Sequence, residues 1–175
     1  MSKIIIINGQ GGVGKDEFVK MCQHFKKNFI FNFSTVDLVK DIAKKLGWKG
    51  EKTPEARKFL SDLKDLLSDS PWGDLPLEDI KKKIRIEEDG CEQFGIDTDR
   101  MIFFIHAREP KNIEKMVKEL GAKTLLIRRA AVEQKWSNHA DDDVFNYDYD
   151  YVIDNDGTLE DLQRSAKDFI NLLFK

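Results

Sequence analysis

The sequence predicts an α/β fold: a mostly parallel sheet whose strands alternate with helices along one domain of 175 residues. Two observations carry the prediction. Short β-branched and aromatic runs recur along the chain, separated by stretches of helical periodicity, and that alternation calls for right-handed crossovers with ligands at the carboxyl ends of the strands. The first run, Ile4, Ile5, Ile6 and Ile7, is four β-branched residues in a row, the mark of a strand buried on both faces. A chain of this length buries a core without disulfides or a structural metal.

In order, residues 4–7 form the first strand and the glycines after it end it sharply. Phe18, Cys22 and Phe25 at i, i+4 and i+7 give the next helix one apolar stripe for the sheet. Residues 29–33 are the second strand. Ser34 and Asp37 make a cap-like pair before a helix with Val39, Ile42, Ala43 and Leu46 inward, stopped by Gly47. Thr53 and Pro54 announce another, with Phe59, Leu60, Leu63, Leu66 and Leu67 inward. Residues 68–76, holding Pro71, Trp72, Gly73 and Pro76, read as a loop. Leu77, Ile80 and Ile84 define a more polar helix, and residues 89–100 a connector.

Residues 101–105 are the next buried strand, running into His106-Ala107-Arg108-Glu109-Pro110. Pro110 opens a helix with Ile113, Met116, Val117 and Leu120 on one face, and Gly121 closes it. Residues 124–127 are the fourth strand and lead to Arg128 and Arg129. The polar, aperiodic stretch that follows, with Asp141, Asp142 and Asp143, is an excursion outside the sheet. Residues 149–154 supply the fifth strand. Thr158 caps a last helix with Leu159, Leu162, Ala166, Phe169 and Leu173 inward.

A net charge of −3 with 35% charged residues argues against a general nucleic-acid binder. The two cysteines, Cys22 and Cys91, have neither metal-ligand nor redox spacing, so reduced thiols in a cytoplasm are expected. No apolar stretch approaches a membrane span, and the isoleucine run is too short for a signal peptide. The three histidines lack paired zinc spacing.

Chemistry concentrates between the first strand and its helix. Gly9, Gln10, Gly11, Gly12, Val13, Gly14 and Lys15 fit G-x-x-x-x-G-K, in which small residues turn successive backbone N–H groups toward phosphate oxygens and the lysine reaches the terminal phosphates. The helix start adds partial positive charge at the same place. A plain glycine turn with a solvated lysine would not combine strand, spacing, lysine and helix in this way. The motif normally closes with Ser or Thr on Mg²⁺, and here the position is Asp16. A first-turn carboxylate is favoured by the helix dipole alone. Beside a triphosphate, however, it would be repelled unless a cation lay between, so Asp16 reads as a direct or water-mediated Mg²⁺ ligand.

Lys15, Asp16, Ser34, His106, Arg108, Arg128 and Asn155 are all expected on the carboxyl rim of the sheet. Arg108 follows a buried strand, where a planar cation suits an acceptor phosphate. Of Arg128 and Arg129, at least one is expected to face the transferring phosphoryl group, the other being a possible surface charge. Arg57 could clamp the acceptor or pair with Glu51 or Asp62 at the surface. Asn138 and His139 fall in the excursion and read equally as lid or ordinary loop polarity. His106 stands where many phosphate-binding-loop proteins place a metal-orienting carboxylate, which strengthens a metal role for Asp16. The triple aspartate reads as a solvated loop.

These motifs resemble the P-loop kinases of small phosphorylated metabolites, the nucleoside monophosphate kinase superfamily. Gly14-Lys15-Asp16 looks like the ending of the loop in bacteriophage-type deoxynucleoside monophosphate kinases and animal-type phosphomevalonate kinases. The run from Arg108 through Leu120-Gly121-Ala122 to Ile127, then Asp141-Asp142, Asp148 to Asp154 and Asn155-Asp156-Gly157, is similar to the C-terminal half of the latter type. The resemblance implies a three-layer, five-stranded parallel P-loop kinase fold. It also implies an acceptor-binding helical region at about 34–90 and a lid at about 128–148. Residues 9–15 would hold ATP with Asp16 beside them, and the loop at Asn155 to Gly157 would pack near adenine. Arg108 would meet the acceptor with Ser34 and Arg57, and Arg128 and Arg129 would close over the phosphates. The expected activity is Mg²⁺-ATP-dependent phosphoryl transfer to a nucleoside or deoxynucleoside monophosphate, with a small phosphorylated acceptor as partner and neither nucleic acid nor membrane. Kinases of phosphomevalonate or a coenzyme precursor, a nucleotide-dependent switch, and an ATP-binding module without turnover are the alternatives. A switch would normally continue with Thr and show a later metal-binding aspartate, and this chain has neither.

Overall fold

The isoleucine run forms the middle strand of a five-stranded parallel sheet in this computed structural model, which describes residues 1–25, 29–133 and 143–174. That strand, β1 (Lys3–Asn8), is followed by helix α1 (Lys15–Phe25), β2 (Ile30–Ser34), and helices α2 (Asp37–Lys45), α3 (Pro54–Ser68) and α4 (Leu75–Gln93). Then come β3 (Ile102–His106), α5 (Pro110–Leu120), β4 (Lys123–Arg128), the one-turn α6 (Ala130–Glu133), β5 (Tyr151–Asp154) and α7 (Leu159–Leu173). The strand order is β2-β3-β1-β4-β5. Ile7 pairs with His106 on one side and Leu125 on the other, which aligns the carboxyl ends of the three central strands.

Alternation along β1 sends its isoleucines to opposite faces, and both faces are covered. Ile5 and Ile7 join Phe18 and Cys22 of α1 and Leu162, Ala166 and Phe169 of α7 in one apolar layer. On the other face α5 packs against β1 and β4, burying Ile113 and Met116. Phe18 sits edge-on to Phe104 and Phe169, with ring centroids at 6.3 and 5.8 Å. Phe31 of β2 stacks on Phe103 at 5.0 Å.

The contacts divide the chain into two compact units, Met1–Asn32 with Cys91–Lys175, and Phe33–Gly90. In the second, α2 packs on α3, and Val39, Ala43, Leu77, Ile80 and Ile84 are buried. Thr53 caps α3 by accepting the Ala56 N–H at 3.2 Å. The Asp74 carboxylate accepts the Leu77 N–H at the start of α4, where Pro76 lacks an N–H to satisfy.

Several expectations change. Phe25, Leu46 and Leu159 are exposed, because each lies at the terminus of its helix, beyond the reach of the layer that covers the interior turns. No residue of α3 is buried, and Leu66 is 70% exposed: its cap and periodicity specify a helix, but covering a face requires a neighbour. Ser34 does not cap α2 with its side chain. The Asp37 carboxylate instead accepts the Ser34 backbone N–H at 2.8 Å, and Val36 is the flanking residue. The expected connector at 89–100 begins as helix, since α4 runs to Gln93, and ends in a short 3₁₀ turn at Thr98–Arg100. Gly121, with φ +62°, ends α5 as expected. Thr158 and Asp161 form a reciprocal capping box on α7. Among the described residues no helix is long and apolar enough to cross a membrane.

Candidate active site

Residues 9–14 leave β1 between two fixed walls. Gly9 has φ +147°, and a Cβ there would stand 2.2 Å from the Ile127 carbonyl oxygen of β4. Gly14 has φ +97°, and a Cβ would stand 2.5 Å from Asn155 Nδ2. Only glycine meets both demands. Around Gly11 and Gly12 nothing lies within 4 Å of a built Cβ, so the loop is pinned underneath and open above. Its lining is polar: Gln10 Oε1 is buried with no hydrogen-bond partner among the described residues.

Lys15 opens α1 and folds back over this loop, its Nζ donating to the carbonyls of Gly9 at 2.5 Å and Gln10 at 2.7 Å. An ammonium is thus held above the loop at the positive end of a three-turn helix, an arrangement suited to a polyphosphate. One residue further, the Asp16 carboxylate lies 3.8 Å from His106 Nε2 at the carboxyl end of β3.

Asn8 holds the first strand end to the third. Wholly buried, it accepts the Gly9 N–H at 2.8 Å and donates through Nδ2 to the Arg108 carbonyl at 3.1 Å and the Tyr149 hydroxyl at 2.7 Å. The Tyr149 hydroxyl in turn donates to the Val144 carbonyl at 2.8 Å. Burial pushes the Tyr149 phenol up to about 12, with the Asn8 hydrogen bond acting the other way. Arg108 itself is exposed.

On the far side of the loop, buried Asn155 donates to the Val13 carbonyl at 2.8 Å, and its own N–H reaches the Arg128 carbonyl at 2.8 Å. Arg128 forks onto Asp154, its register partner in β5, with Nε on Oδ1 and Nη2 on Oδ2 at 3.2 Å. That hydrogen bond, opposed by partial burial, holds the Asp154 carboxyl below the ordinary carboxylate range. Asp156 accepts the Ala130 N–H at 2.7 Å and so steadies the start of α6, the segment after Arg129.

No protein-family model matches this sequence, and no curated protein matches it. Solved structures resemble it in the course of the chain. The Mycobacterium tuberculosis APS kinase aligns over 99% of this chain and 98% of its own at 12% identity, with a TM-score of 0.47. The shikimate kinase of Bacteroides thetaiotaomicron aligns over 99% of each chain at 14% identity and a TM-score of 0.46. The dephospho-CoA kinase of Campylobacter jejuni aligns over 98% of this chain and 97% of its own at 15% identity and a TM-score of 0.44. What they share with it is the three-layer α/β arrangement of sheet and helices.

The structure brings some of the residues singled out from sequence together and not others. Lys15, Asp16, His106, Asn155 and the main chain of Arg108 gather around the glycine loop. Arg128 is near by, but its guanidinium is engaged by Asp154. Ser34 and Arg57 belong to the unit Phe33–Gly90. In that unit Asp62 pairs with Lys58 at 2.7 Å and Glu51 accepts the Lys49 N–H. Gly157 is exposed beside the capping carboxylate of Asp161, which a Cβ would meet at 2.7 Å. Asn138, His139, Asp141 and Asp142, with much of the expected lid, lie outside the described residues. Asn8 and Tyr149 went unread in the sequence. The available signal was an amide closing a run of four isoleucines, a polar group that must be buried and therefore bonded.

Proposed function

We propose that this protein is a Mg²⁺-ATP-dependent phosphotransferase that phosphorylates a small phosphorylated acceptor, first of all a nucleoside or deoxynucleoside monophosphate. The observation that carries the reading is the loop 9–15: pinned by Gly9 and Gly14, open over Gly11 and Gly12, and crowned by the Lys15 ammonium. Backbone N–H groups and the helix start bind the donor phosphates, and Lys15 offsets the charge that develops on the transferring phosphoryl group. Asp16 offers a hard anionic oxygen next to that lysine. This fits Mg²⁺, which takes one or two protein carboxylates and fills the rest of its shell with phosphate oxygens and water. A cation held at Asp16 would offset the charge of the donor phosphates.

Arg108 binds the acceptor phosphate from the end of β3, its backbone held by Asn8. Arg129 is the better candidate for the transferring group, since Arg128 is already paired with Asp154 and releasing it would cost that bidentate contact. Asn155 supports the loop through the Val13 carbonyl, the turn from Asn155 to Gly157 lies near adenine, and Ser34 and Arg57 contribute to the acceptor region at 34–90. On this reading the chain works as one kinase domain.

The test is ADP release from Mg²⁺-ATP across a panel of nucleoside and deoxynucleoside monophosphates, with phosphomevalonate and dephospho-coenzyme A included. Stimulation by one monophosphate is the expected result. Stimulation by another metabolite would reassign the acceptor, and intact ATP binding without any stimulation would leave a nucleotide-binding module without turnover on this panel.

A further inference from the structure

At the rim of the sheet an imidazole nitrogen lies near the carboxylate that follows the loop lysine. His106 Nε2 and Asp16 Oδ1 stand 3.8 Å apart. The His106 side chain is only 15% exposed and rides on the end of β3, whose register with β1 is fixed through Ile7, whereas the Asp16 side chain is 85% exposed and free to turn. One ligand is rigid and the other adjustable. Two ligands of one cation, each at about 2.1 Å, stand roughly 3 Å apart when cis and roughly 4 Å apart when trans. The observed separation falls within that span before any side-chain movement.

We infer that the divalent cation accompanying the donor triphosphate is held by Asp16 Oδ1 and His106 Nε2 together, forming a carboxylate–imidazole site that prefers Mn²⁺ to Mg²⁺. The inference rests on the triphosphate reading of the loop. A purely oxygen site would suit Mg²⁺. Replacing one oxygen by an imidazole nitrogen favours transition-metal ions, which bind nitrogen more strongly, while Mg²⁺ gives up its water to nitrogen reluctantly. With the proton on Nδ1, Nε2 presents its lone pair toward Asp16. Among the described residues no group of three His, Cys, Asp or Glu could hold a metal by itself. The site is therefore completed by phosphate oxygens and water, and its affinity should depend on nucleotide.

The test uses the full chain with β,γ-methylene-ATP and Mn²⁺, read by electron paramagnetic resonance. Free Mn²⁺ is titrated to give its affinity, Mg²⁺ competition gives the preference, and pulsed measurement detects nitrogen coupled to the bound ion. Expected are tighter Mn²⁺ binding with the analogue than without, and an imidazole nitrogen coupling. His106→Asn should remove the coupling and weaken Mn²⁺ binding by about tenfold or more, with a smaller loss for Mg²⁺. If His106→Asn does not fold, His24→Asn and His139→Asn assign the coupling by retaining it. Absence of nitrogen coupling in the unaltered chain overturns the inference, as does its persistence in His106→Asn, its loss in either of the other two variants, or equal weakening of both metals. Those failures leave analogue binding intact, whereas failure of the analogue to bind at all would overturn the triphosphate reading as well.

Discussion

Asn8 Nδ2 donates to the Tyr149 hydroxyl at 2.7 Å across 141 residues of chain. The same amide holds the Arg108 carbonyl, so one buried side chain ties the loop after β1 to the end of β3 and to the segment entering β5. Removing a member leaves buried polar groups without partners. Asn8→Ala is expected to destabilise the fold by about 1–3 kcal/mol and Tyr149→Phe by about 1 kcal/mol. A double-mutant cycle by urea unfolding should give a coupling of at least about 0.5 kcal/mol, and strict additivity would show that the contact carries no energy.

The two walls of the glycine loop separate substitutions that look alike in sequence. Gly9→Ala meets the Ile127 carbonyl and Gly14→Ala meets Asn155, both at positive φ, whereas Gly11→Ala meets nothing within 4 Å. The first two should each lose at least about 1–3 kcal/mol from backbone strain alone, and Gly11→Ala much less. Thermal melting of the three variants decides this, and equal losses would mean the loop is not pinned as described.

Lys15 and Arg108 should separate by kinetics. Lys15→Ala is expected to lower kcat by on the order of 10²-fold or more. Arg108→Ala should lower kcat/KM for the acceptor by about 10²-fold while ATP affinity stays the same. An effect of Arg108→Ala confined to ATP would place that arginine on the donor instead.

Acid and base should act on the pair that closes β4 against the turn before β5. Burial tends to raise the Asp150 pKa, but hydrogen bonds from Lys123 Nζ and from Thr124 N and Oγ1 outweigh it and hold the carboxyl below its ordinary 3.8. Its stabilising contribution is therefore complete above about pH 4 and is lost as pH falls through the lowered value. The Lys123 ammonium is shifted upward, chiefly by its hydrogen bond to Asp150, so its contribution is complete below 10.5 and is lost as pH rises through the raised value. Asp150→Asn should flatten the stability profile at both ends. A profile unchanged below pH 4 would show that the carboxylate has no folded-state preference.

Much of this molecule was legible in one dimension because its signals are local. The strand at Ile4 to Ile7, the Pro110 and Gly121 limits of α5, the Thr158 box and the loop 9–15 each depend on residues within a few positions of one another. Burial was less legible. Leu66, Phe25 and Leu159 have the periodicity of core residues and are exposed, since period describes a face and cannot show where a neighbour ends. The pairing of Asp154 with Arg128 was not legible, because the two are 26 residues apart and meet only through the register of β4 with β5.

By itself, the sequence determined the order of strands and helices, the glycine loop with Lys15 and the carboxylate at Asp16, because short-range sterics, capping and hydrophobic alternation act between chain neighbours. Only the tertiary structure decided that Asn8 joins Arg108 to Tyr149, that Asp154 engages Arg128, and that His106 faces Asp16. Those pairings are set by which strands lie side by side and in what register, a choice made by burial of the whole sheet rather than by any one segment of it.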